Sequence, residues 1–440
     1  MATVSEAHHE PLPAVVRRWL VERVATTPGR LVLVAILVVA GAACFGAIAT
    51  FAERSRAQAA QAARSQTEPV LIRATALNTA LSAAAATATA TFLSGGLEPQ
   101  TRRAAYLADL GVASGALAAL ARAAGSSAQA RAAVATIVNQ LPLYTGLVES
   151  ARANNRQNFP VGAAYLREAS SLLTRPGGIL PAADRLYAAE AQRLSDDYGT
   201  GMATTALIVL VVAVVLAAAL LVWAQHYLTG ISHRVVNIPM AVATAVLVAG
   251  STWAIIGLLS EQSALASARR ASDSVEVLSA TRVLLSRAQS DESLTLVNRG
   301  SDETDPRDFA AVMQTLGSRG GLLSEVSVLA RRDGTAQAAH QLTAAFAAYR
   351  SETANLTQLE STGQITQAIP LASSHAATSI ADRLNTNLAG QISAAQRRFT
   401  QAAADATASL SGLAVAIPAL TILTAALALV GLRERLREYR

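Results

Sequence analysis

The chain has 440 residues, of which 52% are hydrophobic, 4% aromatic and 15% charged, with a net charge of +6. So little charge on so much apolar sequence excludes an ordinary soluble globular protein and points to a membrane class. All 36 basic residues are arginine, which reads as GC-rich, actinobacterium-like coding; the one cysteine, Cys44, excludes an intramolecular disulfide and a cysteine-based metal site.

In chain order, residues 1–30 form a tail carrying Arg17, Arg18, Arg23 and Arg30. Residues 31–51 are the first of four uncharged apolar runs, followed by 203–224, 238–259 and 411–432. Each is long enough for a helix across a hydrocarbon core of about 30 Å. The first run and its preceding tail are both longer than a signal peptide requires, so a retained anchor is expected. Arginines cluster before the first span and again at Arg433, Arg435, Arg437 and Arg440. Positive flanks mark the cytoplasmic side, which places both termini inside the cell. The short link 225–237 is then also cytoplasmic, and 433–440 forms a cytoplasmic tail.

Two long segments, 52–202 and 260–410, are left outside. The first holds 14 arginines against 10 acidic residues and the second 13 against 15. Those balances fit solvated helix faces, or complementary fields between the two segments or toward a partner. In the first, Val134, Ile137, Val138, Leu141, Tyr144 and Val148 recur at spacings of three and four, one face of a helix. In the second, Leu342, Ala345, Phe346, Tyr349, Leu356 and Leu359 do the same, with Glu352 interrupting the seam.

Turn signals divide each segment into about four helices: Ser94-Gly95-Gly96, Gly125-Ser126-Ser127 and Asn158-Phe159-Pro160, then Asn298-Arg299-Gly300-Ser301, Arg332-Asp333-Gly334 and Ser361-Thr362-Gly363. The fold class expected is an all-α membrane protein with four transmembrane helices and two extracellular four-helix-bundle domains. Ala183-Asp184-Arg185-Leu186 and Ala381-Asp382-Arg383-Leu384 occupy corresponding places, which together with the order of elements predicts a tandem duplication.

Two loops interrupt the helical pattern, and loops on rigid scaffolds carry recognition. Their candidate contact residues are Arg175, Pro176, Gly177 and Gly178 in the first and Arg319 and Gly320 in the second. A tolerated surface irregularity is the other reading of both. On the cytoplasmic side the candidate output contacts are His226, Tyr227, His233, Arg234, Arg433, Arg435 and Arg437. The basic tail suits either anchoring at anionic headgroups or docking of a cytosolic protein.

No Walker loop, dinucleotide fingerprint or HExxH motif occurs. Asp291-Glu292 and Asp302-Glu303-Thr304-Asp305 lack the glycine and spaced oxygens of a calcium loop and are expected to be helix-end solvation. No enzyme activity, cofactor or metal is expected. Transport finds little support, because the spans carry no ionisable residue. The cytoplasmic pieces are too short for a kinase or DNA-binding domain, so any output passes to a separate protein.

The whole-chain layout, with the stretches Ala163-Ala164-Tyr165-Leu166-Arg167-Glu168-Ala169-Ser170 and Leu180-Pro181-Ala182-Ala183-Asp184-Arg185-Leu186-Tyr187 and the Leu-Arg-Glu-Tyr-Arg ending, resembles the GlnX-like membrane proteins of mycobacteria and corynebacteria. Members of that family work between the amino-acid-binding lipoprotein GlnH outside and the Ser/Thr kinase PknG inside. The resemblance implies sensing of aspartate, glutamate or related amino acids and control of the kinase. The partners it implies are a GlnH-like lipoprotein and a PknG-like kinase. Membrane lipids and, as an open alternative to a single copy, a homodimer complete the expected partners; nucleic acid is not among them. An envelope scaffold organising other membrane proteins is the alternative function.

Overall fold

The computed structural model describes residues 27–62, 65, 67–93, 98–123, 127–157, 161–201, 204–232, 238–298 and 304–438. Among these residues the regular structure is helical throughout, with no strand. Fourteen helices are described: α1 Thr27–Ala62, α2 Glu68–Leu93, α3 Gln100–Ala123, α4 Ala128–Arg156, α5 Val161–Thr174, α6 Ile179–Gly201, α7 Thr204–Ser232, α8 Ile238–Val297, α9 Thr304–Gly317, α10 Leu322–Arg332, α11 Ala336–Ser361, α12 Ile365–Ala372, α13 His375–Ser411 and α14 Leu413–Glu438. Of the expected turns, 94–96, 125–126, 158–160 and 299–301 lie outside the described residues, as do His233 and Arg234.

Helix breaks follow the local chemistry. Ser127 caps α4 by accepting from the Ala130 N–H at 3.1 Å. Gly334 and Gly363 adopt φ of 71° each, the left-handed conformation that turns the chain after α10 and after α11. By contrast, the stretch from Leu258 to Arg299 contains neither glycine nor proline, and α8 runs unbroken for 60 residues.

The chain divides into two compact units: residues 1–59, 200–263 and 405–440 in one, and residues 60–199 and 264–404 in the other. In the first unit, Val34 and Val38 of α1, Ala217, Leu221 and Ala224 of α7, Met240, Ala243 and Leu247 of α8, and Ala428 and Leu432 of α14 form one apolar core. Small residues let these helices approach closely. A Cβ on Gly46 would lie 2.5 Å from Thr421 Cγ2, and one on Gly250 would lie 2.6 Å from Leu420 Cδ1. Large apolar side chains face outward, among them Ile36, Val215, Leu216, Val415 and Ile422.

Among the described residues the same unit holds one buried ion pair. Arg56 Nη1 of α1 sits 3.6 Å from Glu261 Oε2 of α8, with side chains 2% and 0% exposed.

By length and composition, five helices among the described residues are apolar enough to cross a membrane: Val32–Gln58, Glu68–Leu93, Gln100–Ala123, Ile238–Val297 and Val415–Arg433. Val211–Tyr227 of α7 is a shorter apolar helix of the same kind. α2 and α3 qualify through alanine content, but their apolar faces are spent on each other and on α4 and α6 inside the second unit.

That second unit has two cores. One is built by Leu77 and Leu81 of α2, Tyr106 and Leu120 of α3, Ile137, Leu141 and Tyr144 of α4, Leu172 and Leu173 of α5, and Ile179 and Leu186 of α6. The expected α4 face is buried at Val134, Ile137, Leu141, Tyr144 and Val148, whereas Val138 is exposed. Burial of α2 brings hydroxyls inside, and two of them are satisfied by their own helix: Thr75 Oγ1 donates to Leu71 O at 3.0 Å and Thr79 Oγ1 to Thr75 O at 2.9 Å. The other core joins Leu278 and Leu285 of α8, Leu316 of α9, Leu323 and Val326 of α10, Leu342 and Phe346 of α11, and Leu384, Leu388 and Ile392 of α13. Ala151 and Leu166 meet Leu294, with Phe92 and Val297 alongside, so the two cores touch.

Both cores use one device to bend a helix. Between α5 and α6 the corner is Arg175-Pro176-Gly177-Gly178, and between α9 and α10 it is Ser318-Arg319-Gly320-Gly321. Gly177 has φ 83° and Gly320 φ 86°. The following glycine N–H donates back to the corner carbonyl, Gly178 to Arg175 O at 2.7 Å and Gly321 to Ser318 O at 2.9 Å. The tetrapeptides at 183–186 and 381–384 also behave alike: Leu186 and Leu384 are buried in their cores, while the Asp and Arg before each are exposed.

Candidate functional site

Between the two cores of the second unit lies a polar cleft of about 690 Å³. Its walls are α2 and α3 on one side and α8, α11 and α13 on the other. From α3 come Arg102 and Asp109; from α8 Arg282, Ser286, Gln289, Glu292 and Ser293; from α11 Tyr349, Glu352 and Thr353; from α13 Asp382 and Asn385. The α8 residues Arg282, Ser286, Gln289 and Ser293 follow at spacings of four, three and four, so one stripe of that helix turns polar toward the cleft. Short side chains at Ala83, Ala86, Ala90 and Ala105 opposite leave the room.

Hydrogen bonds join the helices of the second side to one another. Asn385 Nδ2 donates to Gln289 Oε1 at 3.2 Å, and Tyr349 Oη donates to Glu292 Oε2 at 3.2 Å. Four buried polar atoms at the cleft have no hydrogen-bond partner: Arg282 Nε, Gln289 Nε2, Glu292 Oε1 and Asn385 Oδ1. Leaving a buried polar group unpaired costs about 1–3 kcal/mol, so their gathering in one place is unusual for a wall that serves packing alone.

Burial also shifts the ionisable groups. Asp109 is raised to about 6 by burial, against the lowering pull of Arg282. Arg282 is itself lowered by burial, with Asp109 opposing. Burial raises Glu292 to about 8; the nearby charges of Glu360 and Glu352 add to this, and the Tyr349 hydrogen bond works against it. Glu360 is raised to about 7 by burial. Of these groups Asp109, Arg282 and Glu292 line the cleft, and perturbed groups collected in one concave site mark it as a functional candidate.

This corrects the expectation that Asp291 and Glu292 solvate a helix end. α8 continues to Val297, so the pair lies in a packed turn; Asp291 is 8% exposed and Glu292 is held by Tyr349. Burial raises Asp291 to about 7, with Arg287 lowering it and Asp308 and Asp305 raising it.

The loop residues singled out in the sequence lie elsewhere. Arg175, Pro176, Gly177, Arg319 and Gly320 are exposed and Gly178 is buried, and the cleft lining includes none of them. Gln140 Nε2 donates to Gly177 O at 3.1 Å, tying the first corner to α4. His226 is exposed at the end of α7, and Tyr227 stacks on Trp223 with ring centroids 5.7 Å apart. Arg433 is exposed, and Arg435 and Arg437 fall in the last turns of α14. One sequence signal did point to the cleft: Glu352, the residue that breaks the α11 seam, lines it.

Compared with known proteins, residues 59–199 match a family described as an actinobacterial sensor domain. No curated protein and no solved structure matches the chain. The matched stretch covers the first core and not the second. With the apolar helices, it gives the chain a sensing role at a membrane.

Proposed function

From a sensor domain joined to apolar helices, we propose that the chain is a non-enzymatic, four-pass signal transducer. It relays extracellular amino-acid availability, of the aspartate and glutamate class and delivered by a solute-binding lipoprotein, to a cytosolic Ser/Thr kinase. The spans are residues 31–51, 203–224, 238–259 and 411–432, with residues 52–202 and 260–410 outside and both termini inside. The packing of α1, α7, α8 and α14 around one apolar core supports this reading, as does the arginine excess at both ends.

The observation that carries it is α8. One unbroken helix supplies both a membrane-apolar stretch, at Met240, Ala243 and Leu247, and the polar wall of the cleft, at Arg282, Gln289 and Glu292. A ligand or binding protein that favours one packing of the outer helices thereby biases the position of a span. Only a difference in affinity between two packings can do this.

Deletion of the gene should abolish amino-acid-dependent phosphorylation of the kinase's substrates; an unchanged response would remove the relay. The topology is tested separately in a Cys44→Ala background. Gln100→Cys and Gly300→Cys should both label with a membrane-impermeant maleimide added from outside, and protection of either would invert or break the proposed arrangement.

A further inference from the structure

We infer that the cleft between the two cores itself binds a small zwitterion bearing a carboxamide, with the size and chemistry of an ω-amide amino acid. The cleft's 690 Å³ falls within the range of about 300–1,000 Å³ typical of small-molecule sites. It is polar on the side formed by α8, α11 and α13 and lined by alanines on the side formed by α2.

The amide pair defines one end of the ligand. Asn385 and Gln289 spend one donor and one acceptor on each other at 3.2 Å. Gln289 Nε2 and Asn385 Oδ1 then remain, a buried donor beside a buried acceptor. Exchanging N and O in both amides leaves the same complement, so the conclusion does not depend on how the amides are oriented. A primary carboxamide presents an acceptor and a donor along one edge and satisfies both.

Arg282 defines the other end. Its guanidinium is shaped for a carboxylate, and its Nε has no hydrogen-bond partner. Residues 282 and 289 are about 10 Å apart along the helix axis at 1.5 Å per residue, a gap that a five-carbon ligand and two side chains bridge together. The ammonium group of such a ligand sits on the same carbon as its carboxylate, and Asp109, the acid that faces Arg282 and lines the cleft, is the residue at that end to accept it.

The inference rests on the sensing reading for its biological meaning, but its test is independent. The full chain in lipid nanodiscs is titrated calorimetrically with L-glutamine and L-asparagine, with L-glutamate for comparison. One of the two amides should bind, and L-glutamate should bind more weakly by on the order of tenfold. Arg282→Met and Gln289→Leu should each weaken binding by a similar factor, and Ala381→Phe, which fills the cleft, should block it. Arg175→Ala, at the exposed corner, should leave it unchanged.

Absence of binding by both amides, or binding indifferent to all three cleft variants, overturns the site. L-glutamate binding as tightly as the amides overturns the carboxamide assignment. If titration fails while the phosphorylation response persists in cells, the cleft ligand falls and the relay stands.

Discussion

Tyr349 of α11 donates its hydroxyl to Glu292 of α8 across 3.2 Å, and the same carboxylate keeps Oε1 buried with no partner. Burial, not the hydroxyl, dominates its ionisation, raising Glu292 from its ordinary 4.5 to about 8. Between those values the folded chain holds a proton that the unfolded chain has released. Stability therefore falls as pH rises through that window. Glu360 and Asp291, each raised to about 7, act in the same direction. The apparent melting temperature should drop between pH 5 and pH 8.5. Glu292→Gln keeps an acceptor for Tyr349 without a titrating proton; it should flatten the profile and stabilise the chain at the alkaline end by about 1–2 kcal/mol. A melting temperature that rises with pH in the native chain would contradict this account of Glu292.

The paired glycine corners allow a graded test. Gly177 and Gly320 have positive φ with open space where a Cβ would go, whereas a Cβ on Gly178 would lie 2.5 Å from Leu172 O and one on Gly321 2.5 Å from Thr315 O. Alanine at 177 or 320 should cost about 1 kcal/mol, the left-handed penalty alone. At 178 or 321 the obstacle is backbone, and the loss should be larger, about 2–4 kcal/mol. Thermal denaturation of the four single variants would show the order, and equal losses would argue against the corner geometry.

Close packing among the apolar helices is not equally sensitive at every glycine. A Cβ on Gly41 would meet the Cδ2 tip of Leu220, which can swing away, but a Cβ on Gly46 would meet Thr421 at Cγ2, Oγ1 and Cβ together. Threonine is stiff at χ1, and Thr421 Oγ1 is engaged with Ile417 O at 2.8 Å. Gly46→Ala should destabilise by about 1–3 kcal/mol and Gly41→Ala by less. Melting in detergent would rank them.

The buried pair of Arg56 and Glu261 joins α1 to α8. Burial raises Glu261 to about 7 against the lowering pull of Arg56, so removing Arg56 leaves a carboxyl that takes up a proton, whereas removing Glu261 leaves a buried guanidinium and should cost more, about 3–5 kcal/mol. Replacing both, Arg56→Met with Glu261→Leu, should cost less than the sum of the single changes. A double-mutant cycle on denaturation midpoints measures the coupling, and strict additivity would mean that the two side chains do not support each other.

The sequence by itself determined the helical class, the apolar runs and much of the two cores. Periodicity alone places Ile137, Leu141, Tyr144, Leu342, Phe346 and Leu356 inside, because a helix must bury its apolar stripe. It also marks the Gly-Gly corners, since few other residues take a φ above 80°. What only the tertiary structure decided is the cleft. Arg282, Gln289 and Glu292 look like an ordinary polar stripe on a long helix, and Asn385 and Tyr349 lie 96 and 57 positions away from their hydrogen-bond partners. Local pattern cannot show that α2 and α3 bring alanines opposite that stripe, leaving room where larger side chains would have closed it. Nor can it show that Asp291 and Glu292 are buried, because burial depends on how far α8 continues and what packs against it. Helix formation is set by near neighbours in the chain; the unpaired atoms of the cleft arise from contacts between helices remote in sequence.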